Sequence, residues 1–403
     1  MSEELEKDDK VVSIPHKNRI PELEEQVKRY MMIIPSLPKN EIKYERVKSP
    51  KFQNDIDRVA WEREQIRRCR HGWNGMSPKM YFWFNFCFIK NLKGGKIAPD
   101  YRVCDNEWFS QLSDAKSTKE GMVCVKRRRA GFSWKAAADA LHDVMFNAFF
   151  HVGLNSKGER DSVHLFQKVL FIYDNLPGFL RAKVGSRRGM RIEFYQKYKD
   201  ENGNVVKKGV QSEMTVVPPT DSAFEGLMLG KWICDEAGKI PNLPQMWSYT
   251  EDCLMQETVR HGQPVIFGTS GDITKNGMGL MDMWEHSDVY KLRRFFFGGW
   301  MGIYCDEYGN DRIEEAVRWI VYERKKRESI HGKFYSDFLQ KYPLTVQEAF
   351  NQYSESGIGD VALINKQIAE LVDNPVKQKL GYFEMKENGE IVFTVSPNGK
   401  VII

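Results

Sequence analysis

Four consecutive cations, Lys126 to Arg129, stand between a short apolar run, Met122–Val125, and an alanine-rich stretch, FSWKAAADALHDVMFNAFF, over 132–150. The apolar run reads as a strand end and the alanine-rich stretch as a helix. Four like charges at that junction repel one another unless an anion lies among them. The N-terminus of the helix adds its own partial positive charge at the same place. A second strand over His151–Leu154 and a second helix over Glu159–Leu176 follow. Strand, helix, strand, helix predicts an α/β fold: a mainly parallel central sheet flanked by helices.

The rest of the chain extends that pattern. Strands are predicted at Lys231–Asp235, Val265–Thr269 and Arg293–Trp300, with a helix over Gln245–Arg260 between the first two. Arg191–Gln196 and Ser212–Val217 flank the turn-rich DENGNVVKKG and predict an inserted antiparallel hairpin. Arg312–Glu328 reads as a charged amphipathic helix. Ahead of the cations, WEREQIRRCR over 61–70 reads as a helix. Ser77-Pro78 looks like an N-cap with proline at the first helical position, opening an aromatic helix to Ile89. Residues 1–60 are polar and broken by Pro15, Pro21, Pro35, Pro38 and Pro50, which predicts a loosely attached arm with short helices. After about residue 355 the expectation is a polar helix and then two short strands within GYFEMKENGEIVFTVSPNGKVII.

Composition narrows the class. With 403 residues, 41% hydrophobic and 29% charged, the chain can bury a real core and is not a disordered polyampholyte. The longest aromatic-apolar run, Tyr81–Ile89, is too short to span a bilayer. The charged N-terminus, MSEELEKDDK, has no apolar stretch of the secretory kind. The seven cysteines form no C-x-x-C pair, which argues against a zinc or disulfide framework and fits a reducing cytosol. A net charge of +5 permits a nucleic-acid partner without requiring one.

Three motifs carry chemistry. In the first, KRRRAGFS over 126–133, Gly131 and Ser133 occupy the second glycine and the hydroxyl of a phosphate loop, G-x-x-x-x-G-K-[ST]. The usual lysine position holds Phe132, and the first glycine position holds Lys126, so the lysine has moved to the other end of the loop. Because the loop wraps around phosphates, a lysine at either end can neutralise them, with Arg128 and Arg129 as further anion contacts. In the second motif, KWICDEAG, an apolar strand ends in Asp235 and Glu236. Adjacent acids at the end of a buried strand are costly unless a cation needs them. In strand–helix ATPases the first such acid holds Mg²⁺ and the second orients the attacking water. In the third, VIFGTSGD, a strand ends in Gly268, Thr269 and Ser270, where a hydroxyl can sense a terminal phosphate. Each motif alone also fits a basic turn, a strand ending at the surface, or an ordinary strand-to-turn junction. Their order, each at the C-terminal end of a predicted strand where open α/β sheets bind ligands, favours the nucleotide reading.

This set resembles the ATPase domain of the large terminase subunit, the motor that packages DNA into tailed-phage capsids. KRRRAGFS, CDEAG and GTSGD are similar to that family's deviant phosphate loop, acid pair and coupling motif. GMSPKMYFWFNFCFI and YPLTVQEAF are similar to the stretches that open and close its ATPase domain, so the likeness covers about residues 70 to 355. The resemblance implies a P-loop NTPase fold of the RecA-like kind over 61–355, with ATP and Mg²⁺ as ligands. It implies that the loop Lys126, Arg127, Arg128, Arg129, Ala130, Gly131, Phe132 and Ser133 contacts the nucleotide, with Thr269 coupling hydrolysis to movement. Lys126 and Glu236 would be catalytic, and Ser133 and Asp235 would hold the metal. An arginine finger is implied, with Arg181, Arg187, Arg188 and Arg191 as candidates. The implied partners are double-stranded DNA, the portal protein, the small terminase subunit and further copies in a ring, expected as a pentamer on the capsid and a monomer in isolation. The implied location is the host cytoplasm and, transiently, the procapsid, with no membrane.

Two departures qualify the resemblance. Phe132 stands where lysine is commoner, so the loop relies on Lys126. Family members usually continue into an RNase H-like nuclease domain, and no acid cluster follows residue 360. Residues 356–403 are therefore expected to be a linker toward a nuclease domain that is absent, and no DNA cleavage is expected. The alternatives are another nucleic-acid-dependent ATPase such as a helicase, which would need a second core or a hexamer, and a non-enzymatic basic nucleic-acid-binding or capsid protein with a fortuitous acid pair.

Overall fold

The structure is a computed structural model of the chain. It describes residues 21–91, 94–271, 277–328, 332–350, 380–386, 391–396 and 401–402. The polar helix expected after residue 355 and the first twenty residues of the arm lie outside them.

Eight strands form the central sheet: β1 (Gly121–Lys126), β2 (His151–Asn155), β3 (Val184–Arg188), β4 (Arg191–Lys199), β5 (Val205–Val216), β6 (Lys231–Asp235), β7 (Gln263–Gly268) and β8 (Leu292–Phe297). Their order across the sheet is β8-β1-β7-β6-β2-β5-β4-β3. The pairings from β8 through β5 are all parallel, and β4 and β3 close the far edge antiparallel. The result is a mainly parallel α/β sheet with helices on both faces.

The central strands are apolar on both faces, as helices on both sides require. Along β1, Met122 and Cys124 belong to one core and Val123 and Val125 to the other. The first core is filled by α2 (Asp55–His71), α3 (Pro78–Phe86), α4 (Val103–Ser117), α5 (Phe132–Phe146), α6 (Glu159–Asp174) and α9 (Ile313–Glu328). The second is filled by α7 (Leu243–Cys253) and α8 (Met278–Glu285). The aromatic run folds as α3, with the Ser77 hydroxyl accepting from the Met80 N–H as its N-cap and Pro78 in the first turn.

The structure departs from expectation in four places. The helix expected to reach Arg260 stops at Cys253, and Met255–Gln256 pairs with Val259–Arg260 around Glu257, whose φ is 54°. The inserted hairpin turns over only 200–204, so its strands are longer than expected. Strand β3 and helix α4 were not expected at all. The arm is not loosely attached over its described part. Helix α1 (Pro21–Ile33) buries Leu23 and Val27 in the first core, and its Tyr30 hydroxyl donates to Glu348 Oε1 at 2.6 Å.

The chain divides into two compact units, 1–351 and 352–403. In the second, Leu380–Met385 pairs antiparallel with Ile391–Val395 and with Val401–Ile402, giving a three-stranded sheet. No described helix is long and apolar enough to cross a membrane.

Candidate active site

The parallel pairing aligns the C-terminal ends of β1, β6 and β7, and the three motifs follow those ends directly. Strand β1 ends on Lys126, whose side chain is buried. The Arg127 N–H continues the pairing to the Phe297 carbonyl, and the Arg128 N–H donates to the Lys341 carbonyl, both at 2.9 Å. The loop then reverses through Arg129 (φ 58°) and Gly131 (φ 75°). A glycine at the second position avoids the penalty that a side chain meets in the left-handed region. The Gly131 carbonyl accepts from the Trp134 and Lys135 N–H groups, so α5 starts there. The N–H groups of Phe132 and Ser133 precede those first internal bonds and are the helix's open donors, beside its positive dipole end.

The acid pair meets this loop. Ser133 Oγ donates to Asp235 Oδ2 at 2.6 Å, and Lys126 Nζ lies 3.0 Å from Glu236 Oε1. Lys239, not anticipated from sequence, donates to the other Glu236 oxygen at 2.5 Å. Burial pushes the Glu236 carboxyl up, but Lys126 and Lys239 outweigh it and hold the group down at about 2. Asp235 differs. Burial raises its carboxyl above the ordinary range despite Lys126 nearby, and its Oδ1 is buried with no hydrogen-bond partner among the described residues. A buried carboxylate oxygen left open beside a serine hydroxyl is a pair of hard oxygen donors, which suits Mg²⁺ completed by phosphate and water oxygens. Among the described residues no three His, Cys, Asp or Glu side chains cluster as a metal cage. Glu236 itself has φ 55° and ψ 36°, a left-handed backbone that a non-glycine residue adopts at some cost.

The third motif is locked to the second by two glycines. A Cβ on Gly238 would lie 2.1 Å from the Thr269 carbonyl oxygen, and one on Gly271 would lie 1.7 Å from the Gly238 carbonyl oxygen. Thr269 is buried at this contact, one strand from Asp235.

Two loop side chains turn away from the mouth of the loop. The Arg127 guanidinium is buried and donates to the Met301 and Arg128 carbonyls at 2.7 and 3.1 Å, so Arg127 anchors the loop instead of facing a phosphate. The Phe132 ring packs between Trp108, Phe297 and Phe267, with centroids 4.8, 5.0 and 5.6 Å away, so only its backbone faces the mouth of the loop. Arg128 and Arg129 are exposed, as anion contacts require. Two of the finger candidates, Arg187 and Arg191, lie far from this loop along the sheet. Arg187 on β3 pairs with Asp174, and Arg191 on β4 pairs with Glu193 and Glu213; β3 and β4 lie six and five strands from β1, ~29 and ~24 Å at the usual strand spacing. A cavity of about 200 Å³ borders Arg129, Ala130 and Gly131. Its walls include Trp83, Pro99 and Trp134, with Asp100 at the polar side.

Fold and site together give an α/β protein with a cationic loop at the end of β1 and an acid pair on the strand two places from it. No family model matches the chain, and no curated protein matches it. Solved structures do. The ATPase domain of the Thermus phage P74-26 large terminase is 16% identical, with a TM-score of 0.41 over 59% of this chain and 97% of that one. The HK97 bacteriophage large terminase is 11% identical, with a TM-score of 0.44 over 66% of this chain and 54% of that one. A large terminase from another thermophilic bacteriophage, solved with ADP, is 15% identical, with a TM-score of 0.32 over 45% of this chain and 41% of that one.

Proposed function

We propose that the chain is an ATP-hydrolysing motor of the large terminase class that moves double-stranded DNA into a viral procapsid. The observation that carries the hydrolytic part is the meeting of Ser133 with Asp235, whose second oxygen is open, beside a Lys126–Glu236 pair. Lys126, the open N–H groups of Phe132 and Ser133, and the exposed Arg128 and Arg129 neutralise and position the phosphates. Mg²⁺ held by Ser133 and Asp235 would supply further charge neutralisation at the phosphate oxygens. Glu236 stays ionised across the physiological range, so it accepts a hydrogen bond from the attacking water and fixes its direction. It is too acidic to act as a strong base. The cavity beside Gly131 offers a flat aromatic seat for the base, with Asp100 as an acceptor for an exocyclic amine.

In this reading the partners are duplex DNA, the portal protein, the small terminase subunit and further copies in a ring on the procapsid, in the host cytoplasm. The test is Mg²⁺-dependent ATP hydrolysis by the parent and by Glu236→Gln. Turnover by the parent, with Glu236→Gln binding ATP but hydrolysing it about 10²–10⁴-fold more slowly, is expected. Equal behaviour of the two proteins excludes the assignment.

A further inference from the structure

The hairpin of β4 and β5 outgrows the sheet that holds it. Strand β2 pairs with β5 only from Glu213 onward, whereas β5 begins at Val205. The last four rows of the hairpin, Gln196 with Lys208, Lys197 with Lys207, Tyr198 with Val206 and Lys199 with Val205, are paired to each other alone. Four rows at the usual rise make a two-stranded ribbon about 13 Å long. It leaves the sheet at the N-terminal end of the parallel strands, opposite to the phosphate loop.

The composition of the ribbon is the notable point. Lys197 and Lys207 are directly opposed, and Lys199 follows two residues along on the same face. Like charges across a strand pair are destabilising, and a bare two-stranded ribbon is marginal to begin with. No acid occupies any of the four rows. Asp200 sits in the turn, where its carboxylate accepts from the Asn202 and Asn204 N–H groups at 3.0 and 2.7 Å. Among the described residues no carboxylate pairs with Lys197, Lys199, Lys207 or Lys208, all of which are exposed. Three of the ammonium groups rest over tyrosine rings instead. Lys207 lies 4.2 Å and Lys197 6.0 Å from Tyr195, and Lys208 lies 5.1 Å from Tyr198. Elsewhere on the surface the chain pairs its cations readily, as at Arg58, Arg67, Arg293 and Arg318. The turn carries two acids, Asp200 and Glu201, but the four paired rows carry only positive charge, so the ribbon is a cationic projection with an excess of lysines.

We infer that this ribbon is a contact for the phosphate backbone of duplex DNA. The partner must carry closely spaced negative charge along a length comparable to the ribbon, and it must admit a projecting two-stranded element. Duplex DNA does both: it carries a charge every ~1.7 Å along its axis, and its major groove accepts a β-ribbon. The cations are lysines, point charges that suit phosphates, and the ribbon offers no arginine fork or amide for reading base edges. Binding is therefore sequence-independent and salt-sensitive. Because the ribbon lies at the opposite end of the sheet from the loop, DNA held there leaves the nucleotide site open. The inference rests on the reading of the chain as a DNA motor only for the choice of nucleic acid over another polyanion.

The test is fluorescence anisotropy of a labelled duplex oligonucleotide across a salt series. It compares the parent, the triple variant Lys197→Ala/Lys199→Ala/Lys207→Ala and the matching triple arginine variant. ATP turnover and thermal melting are measured on each. The alanine variant should bind the duplex at least tenfold more weakly near 0.1 M salt. Its slope of log K against log salt should be shallower by about 2–3, since each phosphate contact adds ~0.9. The arginine variant should keep both affinity and slope, and all three proteins should melt alike and hydrolyse ATP alike. Unchanged duplex binding by the alanine variant overturns the inference. So does a loss seen with a poly-glutamate peptide but not with the duplex, which would make the ribbon a protein-docking element. A parent that binds duplex through these lysines yet shows no ATP turnover removes the motor reading and leaves the DNA surface standing.

Discussion

Lys126 Nζ and Glu236 Oε1 stand 3.0 Å apart, joining residues 110 positions apart in sequence at the ends of two strands with β7 between them. The pair shows how a cation run that looks self-repelling is tolerated. Of the four, Lys126 faces a carboxylate, Arg127 is anchored on carbonyls, and only Arg128 and Arg129 point to solvent. Lys126 is the buried cation of the loop that faces the carboxylate, so its removal acts on binding. Lys126→Ala should weaken ATP binding at least tenfold, as read by titration with a fluorescent analogue, while Arg128→Ala should weaken it less. Equal losses at the two positions would show that the buried lysine has no special part.

Lys239 sets the pH range over which Glu236 is ionised. Burial alone would raise that carboxyl; Lys126 and Lys239 bring it from an ordinary 4.5 to about 2. A depressed carboxyl stabilises the fold fully above about 4.5 and loses that contribution as pH falls from 4.5 toward 2. In Lys239→Ala the carboxyl rises. The acid limb of the kcat–pH profile should then move up by a measurable fraction of a unit or more, with ATP binding at pH 7.5 little changed. Lys239→Arg should restore the parent profile. If the acid limb stays in place, Lys239 is a surface pairing without influence on the site.

The contact between the second and third motifs is a backbone contact, so it is sensitive to a single methyl group. Gly238→Ala would place a Cβ 2.1 Å from the Thr269 carbonyl oxygen, and backbone on both sides cannot step aside as a flexible side chain would. The expected result is a loss of about 2 kcal/mol of stability and a fall in turnover larger than any change in ATP affinity, because Asp235 and Glu236 lead directly into the displaced segment. Denaturant melts and a separation of kcat from KM check it. A variant with parental stability would mean the two loops are free to part.

Much of this was legible from sequence, for identifiable reasons. Strand β6 was readable because an apolar run stops abruptly at two acids, and the loop was readable because four cations cannot sit at a buried junction without a purpose. Helix α4 escaped because Arg102 caps it without a side-chain hydrogen bond, so its start carries no local signal. Strand β3, VGSRR, escaped because it is mostly exposed and shows no alternation. The ribbon was under-read because Lys197, Tyr198 and Lys199 look like turn residues; only pairing with 205–207 makes them strand. Lys239 escaped because nothing in AGKI marks one lysine as different from the rest. The inward turn of the Arg127 and Phe132 side chains escaped because sequence gives loop membership but not the direction of a side chain.

The helix that carries the phosphate loop is pinned from below by buried charge, and this pin can be tested separately from the site. Asp139 and Asp143, one turn apart on α5, face Lys79 of α3 and Lys231 at the start of β6, and all four are buried. Burial opposes ionisation of Asp143, but Lys231 and Lys79 hold its carboxyl well below the usual range. Lys231 Nζ lies 2.8 Å from Asp139 and 2.5 Å from Asp143, and Lys79 Nζ lies 2.9 Å from Asp143. Two cations and two anions balance, so removing one leaves an uncompensated buried charge, which costs about 3–5 kcal/mol. Asp139→Asn or Lys231→Met alone should therefore lower the urea midpoint strongly. The double change Lys231→Met/Asp139→Leu removes one charge of each sign and leaves Lys79 with Asp143, so it should recover most of that loss. Because Lys231 begins the strand that ends in Asp235, and Asp139 lies on the helix that begins beside Ser133, the single variants should also raise the KM for ATP, and the double variant should lower it again. Additive losses in the double variant would show that the four groups do not act as one balanced set.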